Sequence, residues 1–155
     1  MKLSGNEIQK HFNLWLIAWS NYDIESVMEF IDDDIIFENW DGRIISGKSN
    51  LEKSWKAWFI LHGNFKFIKE DILIDEENQK IAFTWELEWL SLEKNYVGRP
   101  EKRRGVDILY LNEGKILRKL TYSKTTLQID SLPVAMQAIC KQTFIENSYL
   151  LNERM

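Results

Sequence analysis

One stretch of alternating side chains constrains the fold more than any other part of the sequence. Between residues 81 and 89 every second side chain is large and apolar, and those between are small or polar. The apolar set is Ile81, Phe83, Trp85, Leu87 and Trp89. Because side chains along a β-strand alternate between its two faces, this pattern predicts a strand with one buried face. The rest of the chain must then supply a core on that side.

The segments before this strand are predicted to be helical. Apolar residues at helical spacing predict a first helix that begins near residues 4–6 and ends near 20–21. Asp23 is a suitable N-cap for a second, short helix over residues 24–30. Ser49 precedes a glutamate by three residues, which is the pattern of a capping box, and it predicts the start of a third helix.

The other segments are predicted to be strands. They cover residues 35–40, 65–74, 103–111 and 115–125, and the strand over 65–74 is expected to bulge near Glu70 and Asp71. We interpret the acidic run 32–34 as a solvated loop rather than a cation site, because no ligand-spaced partners accompany it. Helices followed by a run of antiparallel strands predict an α+β fold, with helices packed on one face of a curved sheet.

The length favours a single domain. A chain of 155 residues can bury one core and has little room for a second. We predict a domain over residues 1–130 and a tail over 131–155, with a helix expected from residue 131 to 150 and Pro133 in its first turn.

Composition excludes several classes of function. The chain has 20 basic and 24 acidic residues, which argues against binding to nucleic acid. It has no run of about 18 apolar residues and no signal-like N-terminus, so we expect neither a membrane span nor a signal peptide. The single Cys140 excludes an intrachain disulfide and favours the cytoplasm. His11 and His62 are the only histidines and lie far apart, so no metal is expected, and no glycine-rich phosphate loop indicates a cofactor.

Several short motifs, in this order along the chain, carry a resemblance to a known superfamily. They are Trp15–Asp23 ending in Asn-x-Asp, Phe30–Glu38, Gly47 before the third helix, Arg104–Leu109 and Gly114–Ile116. Together they resemble the nuclear transport factor 2-like superfamily, in its SnoaL-like and ketosteroid-isomerase-like branch, over residues 6–125. The resemblance implies a cone, in which a strongly bent sheet (a cystatin-like α+β roll) wraps the helices around an apolar pocket.

The resemblance also implies a set of site residues. Glu38 stands where the isomerase branch has its general base, and Asp107 stands where that branch has a protonated carboxylic acid that donates to an oxyanion. Trp15 is the closest match to the tyrosine on the first helix. An indole N–H donates a hydrogen bond but is a far weaker acid than a phenol, so this departure argues against steroid-isomerase activity itself.

A second departure concerns Asp107. If Leu111 pairs with Lys115 across a three-residue loop, Asp107 lies opposite Lys119 on the same sheet face. Inside a pocket, the two would form an ion pair that anchors a ligand oxygen or stabilises an oxyanion; on the outside, they would be an ordinary surface pair. Arg103 falls on the same face.

These residues lead to two alternative functions. In the first, the chain binds a small, mostly apolar organic molecule, with Glu38, Asp107 and Lys119 able to carry cofactor-independent isomerase, cyclase or dehydratase chemistry. The proposed ligand-binding residues are Trp15, Trp19, Trp40, Trp85 and Arg103. In the second, the chain is a non-catalytic ligand-binding or docking module. The resemblance implies a homodimer formed through the sheet in either case.

Overall fold

The computed structural model describes residues 1–135, which form three helices and eight strands. Two helices come first, two strands and the third helix follow, and the remaining six strands complete the described part of the chain. The helices are α1 (Gly5–Ser20), α2 (Ile24–Glu29) and α3 (Lys48–His62). The strands are β1 (Ile31–Glu38), β2 (Ile44–Ser46), β3 (Lys66–Asp75), β4 (Lys80–Leu90), β5 (Pro100–Asn112), β6 (Lys115–Ser123), β7 (Thr126–Ile129) and β8 (Leu132–Ala135). Within residues 1–135, no helix is long and apolar enough to cross a bilayer.

The first two helices begin where the sequence predicts. The Ser4 side chain accepts a hydrogen bond from the backbone N–H of Glu7, and the Glu7 carboxylate in turn accepts one from the backbone N–H of Ser4. This capping box starts α1. Asp23 caps α2 through the backbone N–H of Ser26. The predicted capping box at Ser49 is wrong, because the N-cap of α3 is Gly47, two residues earlier. Gly47 has φ 87°, a conformation that glycine adopts without strain.

Six strands form a continuous, strongly curled sheet in the order β2-β1-β6-β5-β4-β3. All neighbouring pairs in this order are antiparallel except β1 and β6, which are parallel. The predicted α+β cone is therefore confirmed, but the sheet is mixed rather than wholly antiparallel. The expected bulge in β3 is present as a register shift between Lys69 and Asp71.

The acidic run 32–34 lies within β1 and not in a loop before it. The pairing of β1 with β6 is irregular between Ile31 and Ile36, and the backbone N–H of Asp34 bonds to the Asp32 carboxylate there. This irregularity keeps Asp33 and Asp34 exposed to water while Ile31 and Ile35 stay buried. The prediction that these acids are solvated is correct, and the predicted start of the strand at residue 35 is wrong.

The core lies between the helices and the concave face of the sheet. The alternating residues of β4, from Ile81 to Trp89, are all buried, as their pattern predicts. They belong to one apolar cluster with buried residues of the helices, including Ile8, Phe12 and Trp15 of α1 and Leu51 and Trp55 of α3.

The chain after β6 continues as a hairpin. β7 pairs with both β5 and β8, and Leu127 and Ile129 of β7 are buried. Asp130 and Ser131 both have positive φ, which is the geometry of a tight two-residue hairpin turn. The helix predicted from residue 131 is therefore wrong at 132–135, and its remainder lies outside the described residues. The division into a domain over 1–130 and a tail over 131–155 stays a prediction.

Candidate functional site

A cavity of about 610 Å³ lies between the two long helices and the curled sheet. Six of the seven tryptophans line it: Trp15, Trp19, Trp40, Trp55, Trp58 and Trp85. Phe37 and Phe67 add further ring surface. We call this space the Trp-lined cavity. Its walls favour a flat apolar molecule, because aromatic rings offer large contact areas with little loss of side-chain entropy.

One end of the Trp-lined cavity is polar. Lys119 Nζ lies 2.6 Å from Asp107 Oδ2 and 2.6 Å from the hydroxyl of Thr121, and all three residues line the cavity. The other oxygen of Asp107 accepts a hydrogen bond of 3.0 Å from the indole N–H of Trp85. Both oxygens of this buried carboxylate are thus satisfied, which holds it in one orientation.

The hairpin of β5 and β6 brings the Asp107–Lys119 pair together, although in a register that differs from the predicted one. Asp107 lies opposite Thr121, and Lys119 lies opposite Leu109. The turn contains only Glu113 and Gly114, and the register shifts between Tyr110 and Leu111. The predicted direct pairing of Asp107 with Lys119 is therefore wrong by two residues along β6. Both side chains still lie on the same face, so they meet on a diagonal and line the cavity.

Glu38 does not line the Trp-lined cavity. Its neighbour Phe37 does, together with Lys119, which lies opposite Phe37 on β6. Glu38 lies opposite Leu120, which is on the other face of β6 from Lys119. Because side chains alternate along a strand, the expectation that Glu38 faces the pocket is wrong.

Trp40 lines the cavity, although it is two residues from Glu38 and an unbroken strand would place both side chains on the same face. β1 ends at Glu38, and residues 39–43 form a turn in which strand alternation no longer applies. The Trp40 ring lies 6.1 Å from Trp85 and 6.0 Å from Trp89. The structure thus places Trp40 and Trp85 in one wall, as proposed, for a reason that strand parity alone does not provide.

Trp15 and Trp19 of α1 form the opposite wall. Their rings meet edge to face at 5.9 Å, and Trp19 also packs against Trp55 at 5.0 Å and Phe59 at 5.2 Å. The indole Nε1 atoms of both Trp15 and Trp19 are buried without a hydrogen-bond partner. An unpaired buried donor costs about 1–3 kcal/mol, so an acceptor on a bound molecule would remove a penalty that the free protein carries.

Arg103 is buried beside the cavity and does not line it. Its guanidinium bonds to Glu101 and Glu93 at 2.9 and 2.7 Å and lies over the rings of Trp40 and Trp89. Burial alone would lower the pKa of Arg103, but its hydrogen bonds and attraction to the two carboxylates outweigh burial and raise it. Arg103 therefore supports the wall residue Trp40 from behind and makes no contact with the cavity itself.

Sequence reasoning missed His62 as a site residue, because it considered the histidines only as metal ligands. His62 lines the cavity and stacks on Trp89 at 4.0 Å. Burial lowers the pKa of His62 to about 4, so the imidazole is neutral at physiological pH, and its Nδ1 atom has no hydrogen-bond partner. The spacing of Trp55, Trp58 and His62 along one helix face was the available signal.

Two further features of residues 1–135 do not resemble the Trp-lined cavity. A surface depression of about 540 Å³ next to Lys2 and Glu76 has no aromatic lining. No group of three or more His, Cys, Asp or Glu side chains within these residues could hold a metal ion.

Solved structures similar to this one are distant in sequence and share the fold. TerC, co-crystallised with polyporic acid, is 13% identical with a TM-score of 0.65, over 77% of this chain and 92% of TerC. An LEH-like epoxide hydrolase from M. tuberculosis is 15% identical with a TM-score of 0.63, over 77% of this chain and 84% of that one. An NTF2-like protein of unknown function from Exiguobacterium sp. 255-15 is 18% identical with a TM-score of 0.59, over 76% and 98%.

The comparison with curated proteins finds no match. The family model of the SnoaL-like domain matches residues 12–119, which is more than half of the chain and contains every residue of the polar end except Thr121. The predicted resemblance to the nuclear transport factor 2-like superfamily is confirmed. The chain belongs to the family of SnoaL-like domains.

Proposed function

We propose that this chain binds a small, mostly apolar organic molecule in the Trp-lined cavity. The observation that carries the proposal is a cavity of about 610 Å³ with aromatic walls and the buried ion pair Asp107–Lys119 at one end. Cavities of about 300–1,000 Å³ with apolar walls and few polar groups are typical of small-molecule sites. The rings hold the body of the ligand, and the polar end orients one oxygen.

The same end can perform acid–base chemistry without a cofactor. Lys119 Nζ is positioned to donate to a ligand oxygen, and Asp107 can accept a proton from a neighbouring carbon or hydroxyl. Since Glu38 lies outside the cavity lining, Asp107 takes the role of base in this proposal. A base paired with an oxyanion donor can serve isomerase, cyclase or dehydratase chemistry.

Comparison with solved structures gives general support to a small organic ligand. TerC, which shares the fold, was co-crystallised with polyporic acid, and another neighbour is an epoxide hydrolase. At 13–15% identity these proteins share only the fold with this chain. Fold alone does not decide the reaction, so the ligand must be found by experiment.

A pair of matched variants tests the binding proposal. Ser54 lines the cavity, whereas Ser49 lies exposed in the first turn of the same helix. The S54W ring should fill the cavity and weaken binding of aromatic alcohols and ketones by about tenfold or more, measured by calorimetry, while S49W should bind normally. Normal affinity in S54W, or no binding of any such compound to the wild type, would refute the proposal.

One observation favours the second candidate function, a docking module. The convex face of the sheet carries Ile36 and Tyr122, which are 45% and 50% exposed, beside the half-buried Val106 and Ile108. Exposed apolar side chains on neighbouring strands are typical of an interface. We propose that a second copy of the chain covers this face and forms the homodimer that the family resemblance implies.

A further inference from the structure

We propose that Lys119 forms an imine with the carbonyl carbon of an aromatic aldehyde or ketone bound in the Trp-lined cavity. This deepens the proposed binding function and rests on it, because the carbonyl compound must first occupy the cavity. In this proposal the Lys119 amine is a nucleophile that forms a covalent adduct. A lysine that only donates a hydrogen bond to an oxyanion would form no adduct.

The position of Lys119 sets it apart from the other lysines of residues 1–135. It alone among them is buried, at 7% exposure, and it nevertheless lines the cavity. Its Nζ lies 4.9 Å from the centre of the Phe37 ring. A lysine amine that is shielded from water in an apolar cavity is the usual form of an imine-forming residue.

The proton that must leave the amine has an acceptor at hydrogen-bond distance. Asp107 Oδ2 lies 2.6 Å from Nζ, and the Trp85 indole holds the other carboxylate oxygen, so the acceptor atom is fixed. Transfer of one proton from Lys119 to Asp107 converts a buried ion pair into two neutral groups. A water-poor surrounding reduces the free-energy cost of that transfer, because it penalises both charges.

The reaction then balances without an oxidant or reductant. The neutral amine nitrogen attacks the carbonyl carbon and forms a C–N bond, and a proton moves from nitrogen to oxygen to give a carbinolamine. Asp107 returns its proton to the carbinolamine hydroxyl, which leaves as water while the C=N bond forms. The hydroxyl of Thr121, 2.6 Å from Nζ, is placed to hydrogen-bond the same oxygen during these steps. One ammonium and one carbonyl become one iminium and one water.

Reductive trapping tests the proposal in the full-length protein. Biphenyl-4-carbaldehyde is added with sodium cyanoborohydride, whose hydride reduces the iminium carbon to a stable secondary amine. The adduct adds the mass of the aldehyde less one oxygen, and peptide mapping locates it. We expect Lys119 to be labelled about tenfold faster than exposed lysines such as Lys56, since Lys119 is the one lysine within residues 1–135 that lines the cavity beside a proton acceptor.

Controls separate the chemistry from binding. Biphenyl-4-methanol lacks the carbonyl, should bind to the cavity in calorimetry and should slow only the labelling at Lys119. The K119R variant keeps a cation and should lose the fast adduct, and D107N should slow it if the variant remains folded by circular dichroism. The wild-type competition experiment needs no variant.

The outcomes distinguish this inference from the function on which it rests. If the alcohol binds and Lys119 is labelled no faster than Lys56, imine formation is refuted while ligand binding stands. If the alcohol does not bind and no lysine is labelled preferentially, both proposals fail. Fast labelling of Lys119 that the alcohol suppresses would support both.

Discussion

Asp107 and Lys119 form a buried ion pair although they do not face each other across the hairpin of β5 and β6. Lys119 lies opposite Leu109 and Asp107 opposite Thr121, so the contact of 2.6 Å runs along a diagonal of the sheet face. Long side chains can bridge such diagonals. The two charges depend on each other, because their other hydrogen-bond partners, Thr121 and the Trp85 indole, are neutral.

This dependence predicts strong coupling between substitutions. D107L and K119M should each destabilise the protein by about 3 kcal/mol, since each leaves one buried charge unpaired, and the double variant should lose far less than their sum. Urea unfolding of the four proteins measures the coupling. The exposed pair Glu52 and Lys56 on α3 is the control, and its cycle should show little coupling. Additive losses at Asp107 and Lys119 would contradict the prediction.

Gly105 predicts a strict size limit within β5. A Cβ atom there would lie 2.2 Å from the Tyr122 carbonyl oxygen and 2.4 Å from Cζ2 of Trp85, which lies opposite Gly105 on β4. G105A should destabilise the protein by about 3 kcal/mol, because backbone and a buried indole must both move.

A matched glycine gives the control for G105A. At Gly5, the first residue of α1, an added Cβ would come within 3.0 Å only of a carboxylate oxygen of Glu76, and that side chain can move. G5A should therefore change the free energy of unfolding by less than about 1 kcal/mol. Equal losses in the two variants would show that the space around Gly105 is not the cause.

Local sequence patterns were sufficient for most of the fold. The alternation in β4, the start of α1 near residues 4–6, the N-cap Asp23 and the bulge in β3 all depend on near neighbours in the chain. Errors arose where distant pairing decided the outcome. The acidic run lies within β1 because β6 pairs with Ile31 before it and with Ile36 after it, and residues 132–135 are a strand because β7 pairs with them.

The site was predictable in part for the same reason. The predicted and the true registers of β5 and β6 differ by two residues, so both place Asp107 and Lys119 on the same sheet face. Their contact could therefore be expected. The orientation of Glu38 depends on which face of β1 borders the cavity, and the position of Trp40 depends on the turn that follows β1. His62 shares a helix face with Trp55 and Trp58, which is a weak signal, and its place in the cavity wall is fixed by packing on Trp89, which no local pattern specifies.

The carboxylates that hold Arg103 should differ in their contribution to stability. Glu101 is 1% exposed and accepts hydrogen bonds from Arg103, Ser91 and the Trp89 indole, whereas Glu93 is partly exposed and contacts the other side of the guanidinium. E101Q should destabilise the protein by about 3 kcal/mol and E93Q by about 1 kcal/mol, because water can replace Glu93 but not Glu101. Urea unfolding measures both, and an equal effect would argue against this difference.

His62 predicts a loss of stability under mildly acidic conditions. Its pKa of about 4 in the folded protein lies below the ordinary value of 6.5, so the unfolded chain binds more protons between these values. The free energy of unfolding should fall as pH decreases from about 6.5 to 4 and change no further through His62 below that. Full linkage would give about 3 kcal/mol, and partial hydration of the imidazole reduces this to about 1–2 kcal/mol. Urea unfolding at several pH values should show a smaller loss in H62N; an unchanged pH dependence would exclude His62 as the cause.

The exposed apolar side chains of the convex sheet face predict a homodimer, and two glutamate substitutions on that face should dissociate it. Ile36 of β1 and Tyr122 of β6 lie on that face. In a two-fold interface the same face of both protomers meets, so these residues of one protomer would lie near the same residues of its partner. The wild type should have the mass of a dimer in light scattering, and I36E/Y122E should have that of a monomer with unchanged circular dichroism, since glutamates in the interface would repel and lose water. Leu73 of β3 is 70% exposed near the opposite edge of the sheet, so L73E should remain a dimer. A monomeric wild type would refute the proposed interface. If L73E dissociates the dimer and I36E/Y122E does not, the interface lies at the β3 edge instead.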